Sequence, residues 1–278
     1  FLIYCGEPII HIYHSYKGKM KTEFLSSLIG TIRKKLKITL TDSGDIEKNG
    51  NPILYSNKTK NSLKQLLVLY NIEYIVQKNK NNEKGYILFP FDLFKSEKWD
   101  IEHVDSFTTN PLIDKEQQKE WFRTAIDDLR VFGIDYKNAP NIDGSEKEAA
   151  EHFLKDIDPN VSFDRIKLIV SKLAGEYLPT EEVFKDVKNT IGNLTLLNAD
   201  INRGYGNSIF PSKKKEITKK DAEGRFIPIC TKNVFLKNFI GVNNTTITWS
   251  QDDMEKYRQN IIDVIKKFLI VESQAEVQ

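Results

Sequence analysis

Two short stretches decide the fold: Trp99-Asp100-Ile101-Glu102-His103-Val104, and far downstream Ile191-Gly192-Asn193-Leu194-Thr195-Leu196-Leu197. The first reads as a strand, and in the second Asn193–Leu197 is a β-like run after an Ile191-Gly192 turn. Side chains alternate along a strand, so Asp100 and Glu102 share one face and His103 points to the other. A carboxylate next to an imidazole sets a possible metal ligand beside a general base, and an imidazole suits proton abstraction from water near neutral pH. The second strand leads into an Asn- and Gly-rich run, Asn198 to Asn207, which reads as a loop. Pro211 then suits the first turn of a helix that carries the lysines to about Asp221. Glu102 and the side-chain carbonyl of Asn202 are hard oxygen donors, which suit Mg²⁺ or Mn²⁺ better than zinc. Taken singly, the Glu-His pair is a strand end and the asparagines are turns. The order of the pieces is what carries chemistry.

Outward from this frame, the periodicity predicts a helix over Lys21 to Lys37, with Phe24, Leu25, Leu28, Ile29, Ile32 and Leu36 at helical spacing. Thr41 to Lys60 reads as a loop, Ser62 to about Ile72 as a helix, Lys78 to Gly85 as a polar turn, and Tyr86 to Phe94 as a short strand with an extended arm. From about 105 to 188 a long insert separates the two strands. It contains three expected helices, Asp114–Phe132, Ser145–Ile157 and Phe163–Leu173, and a short fourth from Thr180 to Val187. Residues 225–239 form an apolar, basic segment. Ser250 and Asp253 make a capping box, and the helix behind it buries Met254, Tyr257, Ile261, Val264, Ile265 and Phe268. The fold class is α+β, mostly helical.

With 278 residues and 40% hydrophobic residues, the chain can build one large domain or two small ones. No apolar run reaches the roughly 18–20 residues a membrane helix needs. Phe1–Tyr4 is too short for a signal peptide, and the N-terminus reads as a cut in something longer. Cys5 and Cys230 make neither a disulfide framework nor a zinc site, so a reducing, cytoplasmic setting is expected.

The net charge of +2 is unevenly spread. Asp114 to Asp158 holds twelve acidic and seven basic residues, whereas Arg203 to Lys237 holds nine basic residues against three acidic ones. A basic block attracts polyanions, although a charge run is also what a solvated helix face looks like. His11, His14 and His152 have no partner pattern and read as structural or surface groups. Trp121 and Phe122 read as core, and Cys230 as an inert buried thiol.

The combination of strand with Glu102-His103, strand with Gly192-Asn193-Leu194-Thr195-Leu196-Leu197, then Asn202-Arg203-Gly204 and a basic helix resembles the HNH, or ββα-metal, nuclease fold. More narrowly, it resembles the C-terminal HNH domain of GmrSD-type restriction and phage-defence proteins. Phe89-Pro90-Phe91-Asp92 and the run from Arg225 to Phe235 look like two further hallmarks of that family. The resemblance covers about residues 62–270. It implies a ββα-metal finger with a long helical insert between its strands, flanked by N- and C-terminal helices. Residues 61–270 would be the nuclease domain, 1–60 a helical connector or tail of an upstream ParB-like, nucleotide-hydrolysing domain, and 271–278 a disordered tail.

The resemblance also implies roles. His103 would be the general base and Asn193 would orient its imidazole. Glu102 and Asn202 would ligate one divalent ion, Mg²⁺ or Mn²⁺, with Asp100 as an alternative ligand. Arg203, Lys213, Lys214, Lys215, Lys219 and Lys220 would contact nucleic acid. The expected function is metal-dependent hydrolysis of DNA, phage or modified, in a bacterial restriction or antiphage protein, as a monomer or a homo-oligomer and with no membrane partner. The alternatives are an RNA-directed nuclease and a nucleic-acid-binding module that no longer cuts.

Overall fold

The structure, a computed structural model, describes residues 1–80, 85–105, 112, 114–175, 187–199, 208–239 and 248–271. Its architecture is α+β and mostly helical, in line with the sequence. The chain opens with α1 (Ile9–Tyr16) and α2 (Lys21–Leu36), the latter stopped by Lys37 in the left-handed region with φ of 52°. Short strands follow where the sequence suggests a loop: β1 (Thr39–Leu40), β2 (Ile46–Lys48) and β3 (Asn51–Pro52). β1 and β2, and β2 and β3, pair antiparallel. β1 also pairs in parallel with β6 (Ile270–Val271), so the last described residues close the same sheet. Of the expected tail, Val271 belongs to β6 and 272–278 lie outside the described residues.

Residues 1–60 fold onto the rest of the protein and do not stand off as a connector. Leu2, Ile32, Leu36, Ile38, Ile46 and Ile53 join the same core as Leu63, Leu66, Tyr70 and Trp99. The physical reason is the apolar stripe of α2, whose Ile32 and Leu36 are buried in that core.

α3 (Lys60–Lys80) runs about two turns past its expected end and buries Leu63, Leu66, Leu67, Leu69 and Tyr70. Where an extended arm is expected, Pro90 instead caps a short helix, α4 (Phe91–Ser96). β4 (Asp100–His103) and β5 (Leu194–Leu197) then form their own antiparallel sheet, with Glu102 opposite Thr195 and His103 opposite Leu194. Between them lie α5 (Lys115–Val131), α6 (Gly144–Lys155) and α7 (Phe163–Leu173), close to the expected bounds. Asp114, Asp143 and Ser162 cap their first turns. This insert has its own core, built on Phe122, Leu129, Phe153, Ile166 and Val170. Most of the expected fourth helix, Thr180 to Val187, lies outside the described residues.

After β5 come α8 (Phe210–Ala222), with Pro211 in its first turn, α9 (Ile229–Leu236) and α10 (Gln251–Ile265). The Ser250–Asp253 capping box forms, and all six expected apolar residues behind it are buried.

The 3-10 turn Ile191–Asn193 just before β5 packs directly on α10. A Cβ at Gly192 would collide with the backbone carbonyl of Met254. Backbone cannot step aside as a flexible side chain does. Gly192→Ala should therefore lose at least the ~1–3 kcal/mol typical of overpacking, measured as a lower urea midpoint. An unchanged midpoint would show that the turn and α10 are not in this contact.

Candidate active site

β4 and β5 place Glu102 and His103 at one end of their hairpin, both 8% exposed. Such burial demands partners. The Glu102 carboxylate is met by Lys213 from α8, whose Nζ donates to Glu102 Oε1 and, at 2.6 Å, to the His103 carbonyl. Lys213 itself is fully buried. Burial pushes the Glu102 carboxyl up and the Lys213 ammonium down, while their mutual attraction opposes both shifts.

The imidazole is held from two sides. Tyr55 packs edge-on against it at 4.8 Å between centroids. Asn189 presents Oδ1 to His103 Nε2 at 3.3 Å. An amide oxygen only accepts, so in this arrangement Nε2 carries the proton and Nδ1 is the basic nitrogen. Burial first, then the charge of Lys213, lower the His103 pKa to about 4, and the ring is neutral at physiological pH.

Asn193 is buried, and its side-chain hydrogen bonds go to backbone and not to the imidazole. Its Oδ1 accepts from Asp105 N at 3.0 Å and its Nδ2 donates to the carbonyls of Asp105 (2.8 Å) and Lys188 (3.0 Å). It ties the end of β4 to the turn before β5, and the orienting contact expected of it is made by Asn189. Asp105 is fully buried and pairs with Lys188 through Oδ2, and among the described residues its Oδ1 has no hydrogen bond. Burial, with Lys213 nearby, draws the Lys188 ammonium down to about 7.

Asp100, expected as an alternative ligand, pairs with Lys60 at 2.7 Å. Asn202 and Arg203 lie outside the described residues. The basic helix is not an open cationic face. Lys213 is interior, Lys215 pairs with Asp128, and Lys220 pairs with Glu216 and Glu223. Of the six cations expected to meet nucleic acid, Lys214 and Lys219 make no ion pair among the described residues. Elsewhere in the basic block, Lys232 meets Asp221 and buried Lys237 meets Asp253.

Among the described residues, no three His, Cys, Asp or Glu side chains converge as a metal site. Glu102 already has an ammonium against it. Tyr55, Lys188, Asn189 and Asp105 were not singled out in the sequence. The one weak signal was Tyr55, the sole aromatic residue between Thr41 and Lys60.

The bland readings of other residues agree with the structure. His11 and His152 sit in local pairs with Glu7 and Glu148, Phe122 is core, and Cys230 is a buried thiol raised well above its ordinary pKa by burial.

The fold and the hairpin with its Glu-His pair define an α+β domain with a buried acid–base centre. Residues 114–264 match the family of GmrSD restriction endonucleases, C-terminal domain. The chain belongs to that family, and its class is that of restriction endonucleases. The matched span begins just after β4, so Glu102 and His103 enter through their pairing with β5, which lies inside it. No curated protein and no solved structure matches the chain. No described helix is long and apolar enough to cross a membrane.

Proposed function

We propose that the chain is an HNH-type endonuclease domain that hydrolyses DNA phosphodiester bonds in a bacterial restriction or antiphage protein. The observation that supports this most is the antiparallel pairing of β4 with β5, which brings the Glu-His pair beside α8 in β–β–α order. In this reading a water oxygen attacks phosphorus and gives its proton to His103 Nδ1. The bond from phosphorus to the leaving oxygen breaks, and that oxygen leaves as the alkoxide or takes a proton from solvent. Lys213 supplies a fixed positive charge behind the base, and Asn189 holds the tautomer.

One divalent ion, Mg²⁺ or Mn²⁺, with Glu102 and Asn202 as its donors, enters the proposal as a requirement to be tested and not as a step. An ion on Glu102 would have to take the place of the Lys213 ammonium. An upstream ParB-like domain and a cytoplasmic setting complete the proposal.

The test is plasmid cleavage by the 278-residue chain in Mg²⁺ or Mn²⁺, with EDTA as control. Of the two Glu-His pairs in the sequence, Glu102-His103 lies on β4 and Glu151-His152 on the helix α6, so one strand-borne pair is left to act and each event should cut one strand. Nicked circles should appear before linear DNA. Linear product at the earliest times, with no nicked precursor, would overturn the single-cut reading.

A second reading, a binding module that does not cut, is favoured by two observations: Glu102 is already paired with Lys213, and His103 is almost fully buried. The absence of any nicked product with either metal would select it.

A further inference from the structure

A cavity of about 750 Å³ opens beside the start of β4, between the N-terminal segment, α3 and α4. This size is typical of small-molecule sites. Its composition is unusual for a purely apolar hollow. Tyr4, Phe91 and Phe94 form its walls, with Trp99 among its lining residues, and Lys64, Lys95 and Lys98 also line it. The rings are pre-assembled: Tyr4 stands edge-on to Phe94 at 5.2 Å, and Phe94 edge-on to Trp99 at 5.5 Å. Trp99 is locked from behind by stacking on Phe226, at 12° between planes. Phe91 remains 48% exposed, a large aromatic surface that α4 leaves facing water.

The charges point one way. None of the three lysines makes an ion pair among the described residues. Two nearby carboxylates are engaged elsewhere, Asp100 by Lys60 and Glu97 by the Trp99 indole N–H, and Asp92 of α4 is not among the lining residues. Lys64 sits half-buried with its ammonium 6.0 Å from the Phe94 ring centroid. An aromatic hollow lined by unpaired ammonium groups is complementary to a planar ring that carries an adjacent negative charge.

We propose that this cavity is a nucleotide-binding site, in which one unstacked base lies against the Tyr4, Phe91 and Phe94 rings while Lys64, Lys95 and Lys98 hold the neighbouring phosphate. The chemistry stands on the cavity, but the assignment of the nucleotide to a DNA substrate rests on the nuclease reading above. Geometry links the two. Trp99, just ahead of β4, and His103 at its end are four residues apart, about 13 Å at the usual strand rise. A nucleic-acid strand crosses that distance in a few nucleotides. The site would thus grip the substrate a short way from the bond that is cut, and would favour single-stranded or distorted DNA whose bases can leave the stack.

The test separates stacking from charge. Binding of a short oligothymidylate, and of an abasic oligomer with the same number of phosphates, is measured by fluorescence anisotropy in EDTA. The wild-type chain should prefer the oligomer with bases by roughly 5–100-fold, the range that base–aromatic stacking supplies. Phe91→Ala, at an exposed position that should not affect folding, and Tyr4→Ala should each remove most of that preference while leaving abasic affinity unchanged. Phe91→Trp should retain it. Replacing Lys64, Lys95 and Lys98 together by alanine should weaken both ligands and flatten the log–log salt dependence by about 2.

Thymidine monophosphate distinguishes the sources. Competition by the monophosphate at concentrations comparable to the oligomer would make a free nucleotide the natural occupant. Failure to compete would make it a nucleotide within a strand. No preference for bases in the wild type, or an undiminished preference in both alanine variants, would overturn the site. These outcomes are independent of cleavage. A chain that nicks plasmid without base preference loses this site and keeps the nuclease reading, and a chain with the preference that never nicks does the reverse.

Discussion

His103→Ala should cut DNA roughly 10²–10⁴-fold more slowly than the wild type, the usual contribution of a positioned general base. The imidazole is buried among Tyr55, Asn189 and Lys213, so its removal leaves a gap that a small residue does not fill. Some loss of stability is therefore expected, and the rate must be compared at a temperature where circular dichroism shows both proteins folded. Asn189→Ala supplies the second readout. It frees the ring to change tautomer without removing the base, and should lower the rate by less than His103→Ala does.

The pH profile carries further information. Because the folded-state pKa of His103 lies near 4, below the usual 6.5, the base is competent across the neutral range. The acid limb of the rate should fall near 4 and not near 6.5. The sign for stability follows from the same shift. The unfolded chain takes up this proton first as the pH drops, so the His103 contribution is complete above about 6.5 and is lost between 6.5 and 4. A folded His103→Ala protein that nicks plasmid at the wild-type rate would remove the imidazole from the chemistry.

What the sequence disclosed, and what it hid, follows the range of the interactions involved. α2, α5, α7 and α10 were legible because each carries an apolar stripe at helical spacing and most have a capping residue in place. β4 and β5 were legible as apolar runs with polar residues at decisive positions. β1, β2, β3 and β6 were not. Strands of two or three residues are too short to display a period of two, and β1 pairs with β6 although Thr39 and Ile270 are far apart in the sequence. α4 was misread because Phe, Leu and aromatic neighbours suit a strand, whereas Pro90 ahead and Asp92 in the first turn favour a helix start.

The site divides in the same way. Glu102 and His103 are adjacent and announce themselves. Lys213 and Asn189, which set their charge and tautomer, lie 111 and 86 residues away from them. Composition alone could not tell that Lys215 and Lys220 answer Asp128 and Glu216 instead of water. A count of charges along the chain is blind to which of them meet in space.

That blindness matters most at Lys213, where the sequence suggested a surface contact to phosphate and the structure places a buried ion pair. The two assignments predict opposite results for Lys213→Met. A surface lysine on a helix can be replaced within about ±0.5 kcal/mol. Removing one member of a buried pair strands the other charge in a low-dielectric interior and costs about 3–5 kcal/mol. Lys213 is fully buried, and its ammonium also satisfies the His103 carbonyl, so the larger cost is expected, read as a lowered urea midpoint. Lys219→Met, on the exposed side of the same helix, is the control and should be near neutral. Adding Glu102→Gln to Lys213→Met removes the stranded charge and should restore part of the loss, which isolates the pair from the helix packing around it. The imidazole reports the same interaction independently. Lys213 is one cause of the depressed His103 pKa, so the ring in Lys213→Met should titrate closer to its ordinary value by NMR. Wild-type stability together with an unmoved His103 titration would place Lys213 back on the surface and take from Glu102 the partner that the structure gives it.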